Sequence, residues 1–403
     1  MPGFEVLGEE EKKEIMEVLS SKVLFRYEFH AQRNGVYKVA EFEKAFASYC
    51  GAGHALAVSS GTAALRVALA ALGVGPGDEV ITQGFTFVAT WEAILETGAV
   101  PVFAEVDETL CMDPGDIRKR LSARTKAIVP VHMCGAHAKI SDIITVSSEL
   151  GIPVIEDTAQ SCGGSYRDKK LGTFGKMGCF SFDSVKTITT GEGGMVITDD
   201  KELHTRASEY HDHGHDHDVR VGRGLEKRNF MGFNYRMMEL QGALGLAQLK
   251  KLDPVIIKRQ RENKKALKDA LETIKGISFR SIPDPSGDIA SFLIFFLPTP
   301  EKALAFSKVM AREGSPVVYW HDNTWHYYER WEHLLEGKSV LPSGYPFKNP
   351  DGKARVSCSP GSLPATSELL SRALTIPINI DMEKDLPVKL KAIENAAKSL
   401  GDI

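Results

Sequence analysis

Lys186 lies in the stretch Cys179-Phe-Ser-Phe-Asp-Ser-Val-Lys186-Thr-Ile-Thr-Thr-Gly-Glu-Gly-Gly194. The apolar run 178–182 predicts a buried strand, and 195–198 a second strand after a glycine-rich turn. A lysine where two strand ends meet a tight turn is off any solvated helix face. Burial there disfavours the ammonium, lowers its pKa and leaves a nucleophilic amine, as a Schiff-base lysine requires. A lone lysine of this kind more often decorates a surface loop, so the residues upstream decide.

Ser59-Ser-Gly-Thr62-Ala-Ala-Leu65 joins a strand to a helix start. Small residues let the backbone approach a ligand, and the free N–H groups of the helix end attract an anion such as phosphate. Ser-Gly-Thr is equally an ordinary helix cap. Phe87, in Phe85-Thr-Phe-Val-Ala-Thr90, either stacks on a flat ring or packs in the core. Asp157, in Glu156-Asp-Thr-Ala-Gln160-Ser, ends another apolar run. A carboxylate there is costly unless paired, and a protonated heterocyclic nitrogen is one partner that justifies it. In chain order these parts are an anion cradle, a ring stacker, a buried carboxylate and a lysine. Their order and spacing match a pyridoxal 5'-phosphate site.

The elements that must position them follow from periodicity. Strands are predicted at 56–59, 79–82, 100–105, 127–131, 153–156, 178–182 and 195–198, with helices at 62–72, 88–97, 114–121 and 139–150 between them. Continuously apolar strands alternating with helices imply an α/β fold with a mostly parallel sheet, whose ligands bind beyond the carboxyl ends of the strands. Helices are also predicted at 9–22, 39–50 and 237–251, with an arm at 25–38. Residues 202–235 read as one long functional loop. Asp253-Pro254 reads as a cap and first position of the next helix. Two domains are expected, residues 1–252 with the N-terminal arm and cofactor site, and 253–403 as a smaller α/β unit with a final helix from about 385.

The motifs resemble the DegT/DnrJ/EryC1/StrS aminotransferases, of the aspartate aminotransferase-like fold type I. They include those above, Val131-His-Met-Cys-Gly135 and Gly232-Phe-Asn-Tyr-Arg-Met237. The resemblance implies that Lys186 is the Schiff-base lysine and acid/base, and that Asp157 keeps the pyridine nitrogen protonated. It also implies that Gln160 lies beside the ring hydroxyl, Phe87 stacks on the ring, and Gly61, Thr62 and Ser181 bind the phosphate. Asn234 would reach the cofactor of a neighbouring subunit, giving a homodimer with shared active sites. L-Glutamate is the implied donor and an oxo sugar the acceptor. Lysine, where some members carry histidine and dehydrate sugars, favours amino transfer.

Two stretches depart from the family pattern. His211-Asp-His-Gly-His-Asp-His217 could be a solvated loop, a metal site or a sugar-binding loop. Substrate recognition by His213 and His215 is preferred, with no metal, because the corresponding loop borders the sugar site in the family. Tyr319-Trp-His-Asp-Asn-Thr-Trp-His326-Tyr-Tyr suggests sugar stacking, with Tyr319 and His326 as substrate contacts, or a packed core. These stretches and the opening Met-Pro-Gly-Phe-Glu resemble family members that form 8-amino-3,8-dideoxy-manno-octulosonate for lipopolysaccharide from an 8-oxo sugar acid. A nucleotide-linked 3- or 4-keto sugar is the alternative acceptor.

A net charge of −4 gives no general attraction to nucleic acid or anionic membranes, and no apolar run is long enough to span a bilayer. Six scattered cysteines without a Cys-x-x-Cys pattern, and an N-terminus without a signal-peptide pattern, lead to an expected cytoplasmic location.

Overall fold

The apolar runs become strands in the computed structural model, which describes residues 3–218, 220–349 and 355–399. Met1 and Pro2 of the opening segment lie outside the described residues. The strands are β1 His54–Val58, β2 Glu79–Gln83, β3 Val100–Ala104, β4 Thr125–Ile128, β5 Ile155–Asp157, β6 Met177–Ser181 and β7 Gly194–Thr198. They pair in two groups, β3-β2-β4 and β1-β7-β6-β5. Parallel bridges Ile128↔Val154 and Val131↔Asp157 join the groups between β4 and β5. Only β7 runs against its neighbours. β2, β6 and β7 are buried along their whole length, as a sheet covered on both faces requires. The carboxyl ends of β1, β2, β5 and β6 therefore share one edge, and the predicted cofactor residues follow them.

Helices Gly61–Ala71, Ala89–Glu96, Pro114–Arg120 and Ile140–Leu150 form where the periodicity placed them. The first buries Ala63, Ala64, Leu65, Val67, Ala68 and Leu69. Helices Glu9–Ser21 and Lys38–Cys50 pack on helix Glu239–Lys251. A Cβ on Gly242 would lie 2.6 Å from the Val39 nitrogen, so glycine there permits backbone contact between two helices. The buried Arg33 bonds Glu239 at 2.8 Å, and Glu239 accepts from the Val39 N–H at 3.1 Å.

Two expectations need correction. Residues 202–235 are not one loop, since Lys201–Tyr210 is a helix capped by the Asp200 carboxylate, which accepts from the N–H groups of Glu202 and Leu203. Its mostly polar surface hid the helical period. Asp253 does not cap a new helix. Helix Glu239–Lys251 continues through a π-helical stretch, Leu252–Ile257, into helix Lys258–Glu272. Pro254 lacks an N–H, and the wider π turn absorbs the missing bond without ending the helix. The Asp253 carboxylate instead accepts from the Tyr49 hydroxyl at 2.9 Å.

A second sheet holds β8 Ser278–Phe279, β9 Phe292–Phe296, β10 Val318–Tyr319 and β11 Ala373–Pro377, in the antiparallel order β8-β9-β11-β10. Helices Pro300–Arg312 and Pro364–Arg372, absent from the sequence reading, and Leu386–Ser399 accompany it. Leu267, Phe295, Phe306, Leu374 and Ile393 belong to its core. Among the described residues no helix is long and apolar enough to cross a membrane. All six cysteines are free.

Candidate active site

At the end of β1 the chain turns through Ser60 into helix Gly61–Ala71. The Ser60 hydroxyl caps the helix by accepting from the Ala63 N–H at 3.0 Å. A Cβ on Gly61 would lie 2.5 Å from the Ser181 Cβ. Only glycine allows the helix start to come this close to the end of β6. The first turn of this helix and Ser181 line a cavity together with Phe87, Thr90, Asp157, Gln160 and Lys186. Sequence-predicted residues from four strand ends thus meet in one place.

Lys186 is buried, and among the described residues its Nζ has no hydrogen-bond partner. The nearest carboxylate, Asp183, stands at 4.0 Å, and Nζ lies 5.8 Å from the Phe87 ring centre. Burial pulls its pKa below the ordinary lysine range, against the opposing charges of Asp183 and Asp157. Its loop is pinned from outside by the Gly3 N–H, which donates to the Lys186 carbonyl at 3.0 Å. Asp157 is buried too. Its Oδ2 accepts from the Thr90 hydroxyl at 2.9 Å and its Oδ1 from the Ala159 N–H at 3.1 Å. Burial still pushes its pKa above the ordinary carboxylate range, because those bonds and the Lys186 charge only partly offset it.

The pocket therefore disfavours the charges of both Lys186 and Asp157. A heterocyclic cation against Asp157 would relieve one, and a covalent bond to the lysine nitrogen the other. With a glycine-lined helix start for a phosphate, these residues fit pyridoxal 5'-phosphate. Glu156, next to Asp157, serves the scaffold. Its carboxylate accepts from the N–H groups of Gly172, Phe174 and Gly175 at 2.8, 2.6 and 2.7 Å and bonds His132 Nε2 at 3.0 Å.

Thr86, Thr90 and Asn323 were not singled out from the sequence. Thr86 and Thr90, one helical turn apart, share a hydroxyl–hydroxyl bond of 2.8 Å that supports the Asp157 contact. That i, i+4 spacing of two threonines is the signal that could have found them. His326 lies behind the pocket wall, its Nε2 3.3 Å from Gln160 Nε2 and its ring 5.4 Å from Phe87. Trp325 stacks on Phe87 at 5.8 Å. Tyr319 is half-buried and its hydroxyl donates to the Ser371 carbonyl at 2.9 Å.

His213, His215, His326, Tyr319 and Asn234 are not among the residues lining the Lys186 cavity of their own chain, and of these His326 touches Gln160 and Phe87, which do line it. His213 and Asn234 are exposed, whereas His215 is buried 2.6 Å from Glu226. The surrounding loop is organised by Asp212. This fully buried carboxylate accepts from Arg223 at 2.8 and 2.9 Å and from Arg236 at 2.5 Å. His211 bonds the Tyr27 hydroxyl at 3.0 Å, which ties the loop to the N-terminal arm. Among the described residues no group of three or more His, Cys, Asp and Glu is placed to hold a metal ion.

The model of the DegT/DnrJ/EryC1/StrS aminotransferase family matches residues 6–328. The chain is 42% identical over 224 residues to GDP-perosamine synthase of Caulobacter vibrioides, covering 55% of this chain and 59% of that protein. It is 40% identical over 278 residues to the spore coat polysaccharide biosynthesis protein SpsC of Bacillus subtilis, covering 68% and 69%. These sequence matches thus span well under the full length of either relative. An aminotransferase from Psychrobacter cryohalolentis superposes with a TM-score of 0.82 at 26% identity, over 98% of each chain.

Proposed function

Because the chain belongs to the DegT/DnrJ/EryC1/StrS aminotransferase family, whose members depend on pyridoxal 5'-phosphate, we propose that it moves the amino group of L-glutamate to an oxo sugar. The observation that carries this reading is the buried Lys186 amine, without a hydrogen-bond partner among the described residues, in one cavity with Asp157 and the Gly61 cradle. When bound, pyridoxal 5'-phosphate supplies an aldehyde for the lysine amine and a ring that accepts electrons. Gly61, Thr62 and Ser181 hold its phosphate, and Asn234 of a second copy completes the site in a homodimer. Phe87 would cover one face of the ring, Asp157 would keep the ring nitrogen protonated, and Gln160 would lie beside the ring hydroxyl. Lys186 Nζ would take the proton from the donor's α-carbon and hold it within the same pocket.

For the acceptor we propose a free sugar acid, 3,8-dideoxy-8-oxo-manno-octulosonate, with His213, His215, His326 and Tyr319 as its contacts. A diphosphate would need unpaired positive charge near the histidine loop. Arg223 is held by Asp212 and Arg220 by Asp218, the latter at 2.8 and 2.6 Å, whereas Arg228, bridged to His215, has no ion pair among the described residues, so the charge of this loop suits either acceptor. A nucleotide-linked keto sugar is the second reading, supported by the likeness to GDP-perosamine synthase. Purified protein with pyridoxal 5'-phosphate and glutamate is offered both substrate classes in parallel. Amination of the 8-oxo sugar acid alone is the expected result. Turnover of only a nucleotide-linked keto sugar replaces the acceptor, and turnover of neither rejects amino transfer to sugars of these classes.

A further inference from the structure

Four polar groups run in a line from the segment after Trp320 into the Lys186 cavity. Asn323 Oδ1 accepts from the Trp325 N–H at 3.0 Å and meets His326 Nδ1 at 2.9 Å. His326 Nε2 faces Gln160 Nε2 at 3.3 Å, and Gln160 Oε1 accepts from the Cys134 N–H at 3.1 Å. Both ends of this line are set by backbone N–H groups, which only donate. The amide oxygens of Asn323 and Gln160 are therefore placed, and so are their NH2 groups. His326 Nδ1 meets an oxygen that only accepts, so Nδ1 carries the proton. His326 Nε2 meets an NH2 that only donates, so Nε2 offers its lone pair. A neutral imidazole has one nitrogen of each kind, and only this tautomer satisfies both neighbours.

We propose that Asn323, acting through one tautomer of His326, is a positioning residue that locks the Gln160 amide as a hydrogen-bond donor toward the ring hydroxyl of the cofactor. The inference rests on the cofactor site proposed above. Gln160 lines the cavity, and its NH2 has a second hydrogen beyond the one given to His326. The opposite tautomer, or an imidazolium, would set N–H against N–H and turn the amide around, at the expense of the Cys134 bond. The surroundings hold the ring neutral as well. Trp320 lies edge-on at 5.1 Å, Phe87 at 5.4 Å and Phe85 at 6.4 Å. Burial and the neighbouring Lys186 charge lower the His326 pKa to about 3. The segment cannot easily drift, because the N–H groups of Thr86 and Val88 donate to the His326 and Trp325 carbonyls at 2.9 and 3.0 Å. A donor fixed on the ring oxygen stabilises its ionised form and lowers the pH at which the lysine–cofactor chromophore loses its proton.

Two readouts test this in the holoenzyme. The first is nitrogen NMR of histidine-labelled wild-type protein, with the His326 signals assigned by their loss in His326→Gln. The expected result is a protonated Nδ1 and a bare Nε2 from about pH 6 to about pH 9. A protonated Nε2 overturns the proposal. The second is the pH titration of the cofactor's visible band in wild type and Asn323→Ala. Losing one orienting hydrogen bond should raise the midpoint by about half to one pH unit. An unchanged midpoint in a folded, cofactor-loaded Asn323→Ala overturns the proposal, and if that variant fails to fold the wild-type NMR still decides. A wild-type protein that shows no visible band with pyridoxal 5'-phosphate rejects the cofactor site instead, and is told apart from failure of the positioning role by that missing band.

Discussion

Asp157 and Glu156 are adjacent carboxylates with different duties. Glu156 is saturated by three backbone N–H groups and His132, while Asp157 keeps only two partners and faces the cavity. Asp157→Asn should keep the cofactor bound but slow the single-turnover half-reaction with glutamate by about 100-fold or more, since a neutral amide cannot hold the ring nitrogen's proton. A near-wild-type rate removes Asp157 from that role. Lys186 gives a second test, on stability. Its pKa is lowered by burial, so in the cofactor-free protein the unfolded chain binds a proton that the folded chain lacks, from the lowered value up to about 10.4. Stability should rise with pH across that window. Lys186→Met removes the effect. The variant should melt higher than its parent at neutral pH, with the gap closing as pH rises, and a gap independent of pH in calorimetry contradicts the burial argument.

At the scale of elements, two tight places carry the site. The start of helix Gly61–Ala71 sits so close to β6 that Gly61→Ala must push against Ser181. Overpacking of this kind costs about 1–3 kcal/mol, and the same displacement should weaken pyridoxal 5'-phosphate binding by about 10-fold or more in fluorescence titration. Unchanged affinity would separate the cradle from the phosphate. The other place is the loop after helix Lys201–Tyr210, which Asp212 holds through Arg223 and Arg236. Burial opposes the Asp212 charge, but the two guanidiniums win and hold its pKa well below the ordinary carboxylate range. Asp212→Asn leaves them unpaired and should cost about 3–5 kcal/mol in urea unfolding at neutral pH. A depressed folded pKa contributes stability above the unfolded value and loses it in acid, so the penalty should shrink below about pH 4. This organising carboxylate escaped the sequence reading, which weighed the four histidines around it. The sequence likewise predicted one helix ending at 251 and another starting at Pro254 but not that the two are continuous, because a π turn leaves no mark on an apolar pattern.

For the whole molecule, one group of exposed apolar side chains flanks Asn234 along the chain. Leu225 and Met231 are 82% and 76% exposed, and Phe230, Phe233 and Met238 are exposed as well. An apolar patch of this kind fits a second copy of the chain. Mixed Lys186→Ala and Asn234→Ala chains, each inactive alone, should recover about a quarter of parental activity when subunits exchange freely, since half the dimers then hold one intact site. No recovery despite proven exchange excludes shared sites. We also propose a division of the chain near residue 252, supported by a core drawn wholly from later residues such as Leu267, Phe306 and Ile393.

The sequence by itself determined the strands of the first sheet, the helices between them and the predicted cofactor residues that line the Lys186 cavity. Each of these is local. An apolar run, a helix cap and a glycine demanded by close approach leave their mark within a few residues, and the fold carries the strand ends to one edge. Only the tertiary structure decided what holds Glu156, that Asp212 rather than the histidines organises its loop, and that Asn323, His326, Gln160 and Cys134 form one directed line. Those outcomes depend in part on partners far along the chain, as His326 is 166 residues from Gln160 and Arg236 is 24 from Asp212. A hydrogen bond's direction is set by what stands opposite it in space, and spacing along the chain holds no record of that.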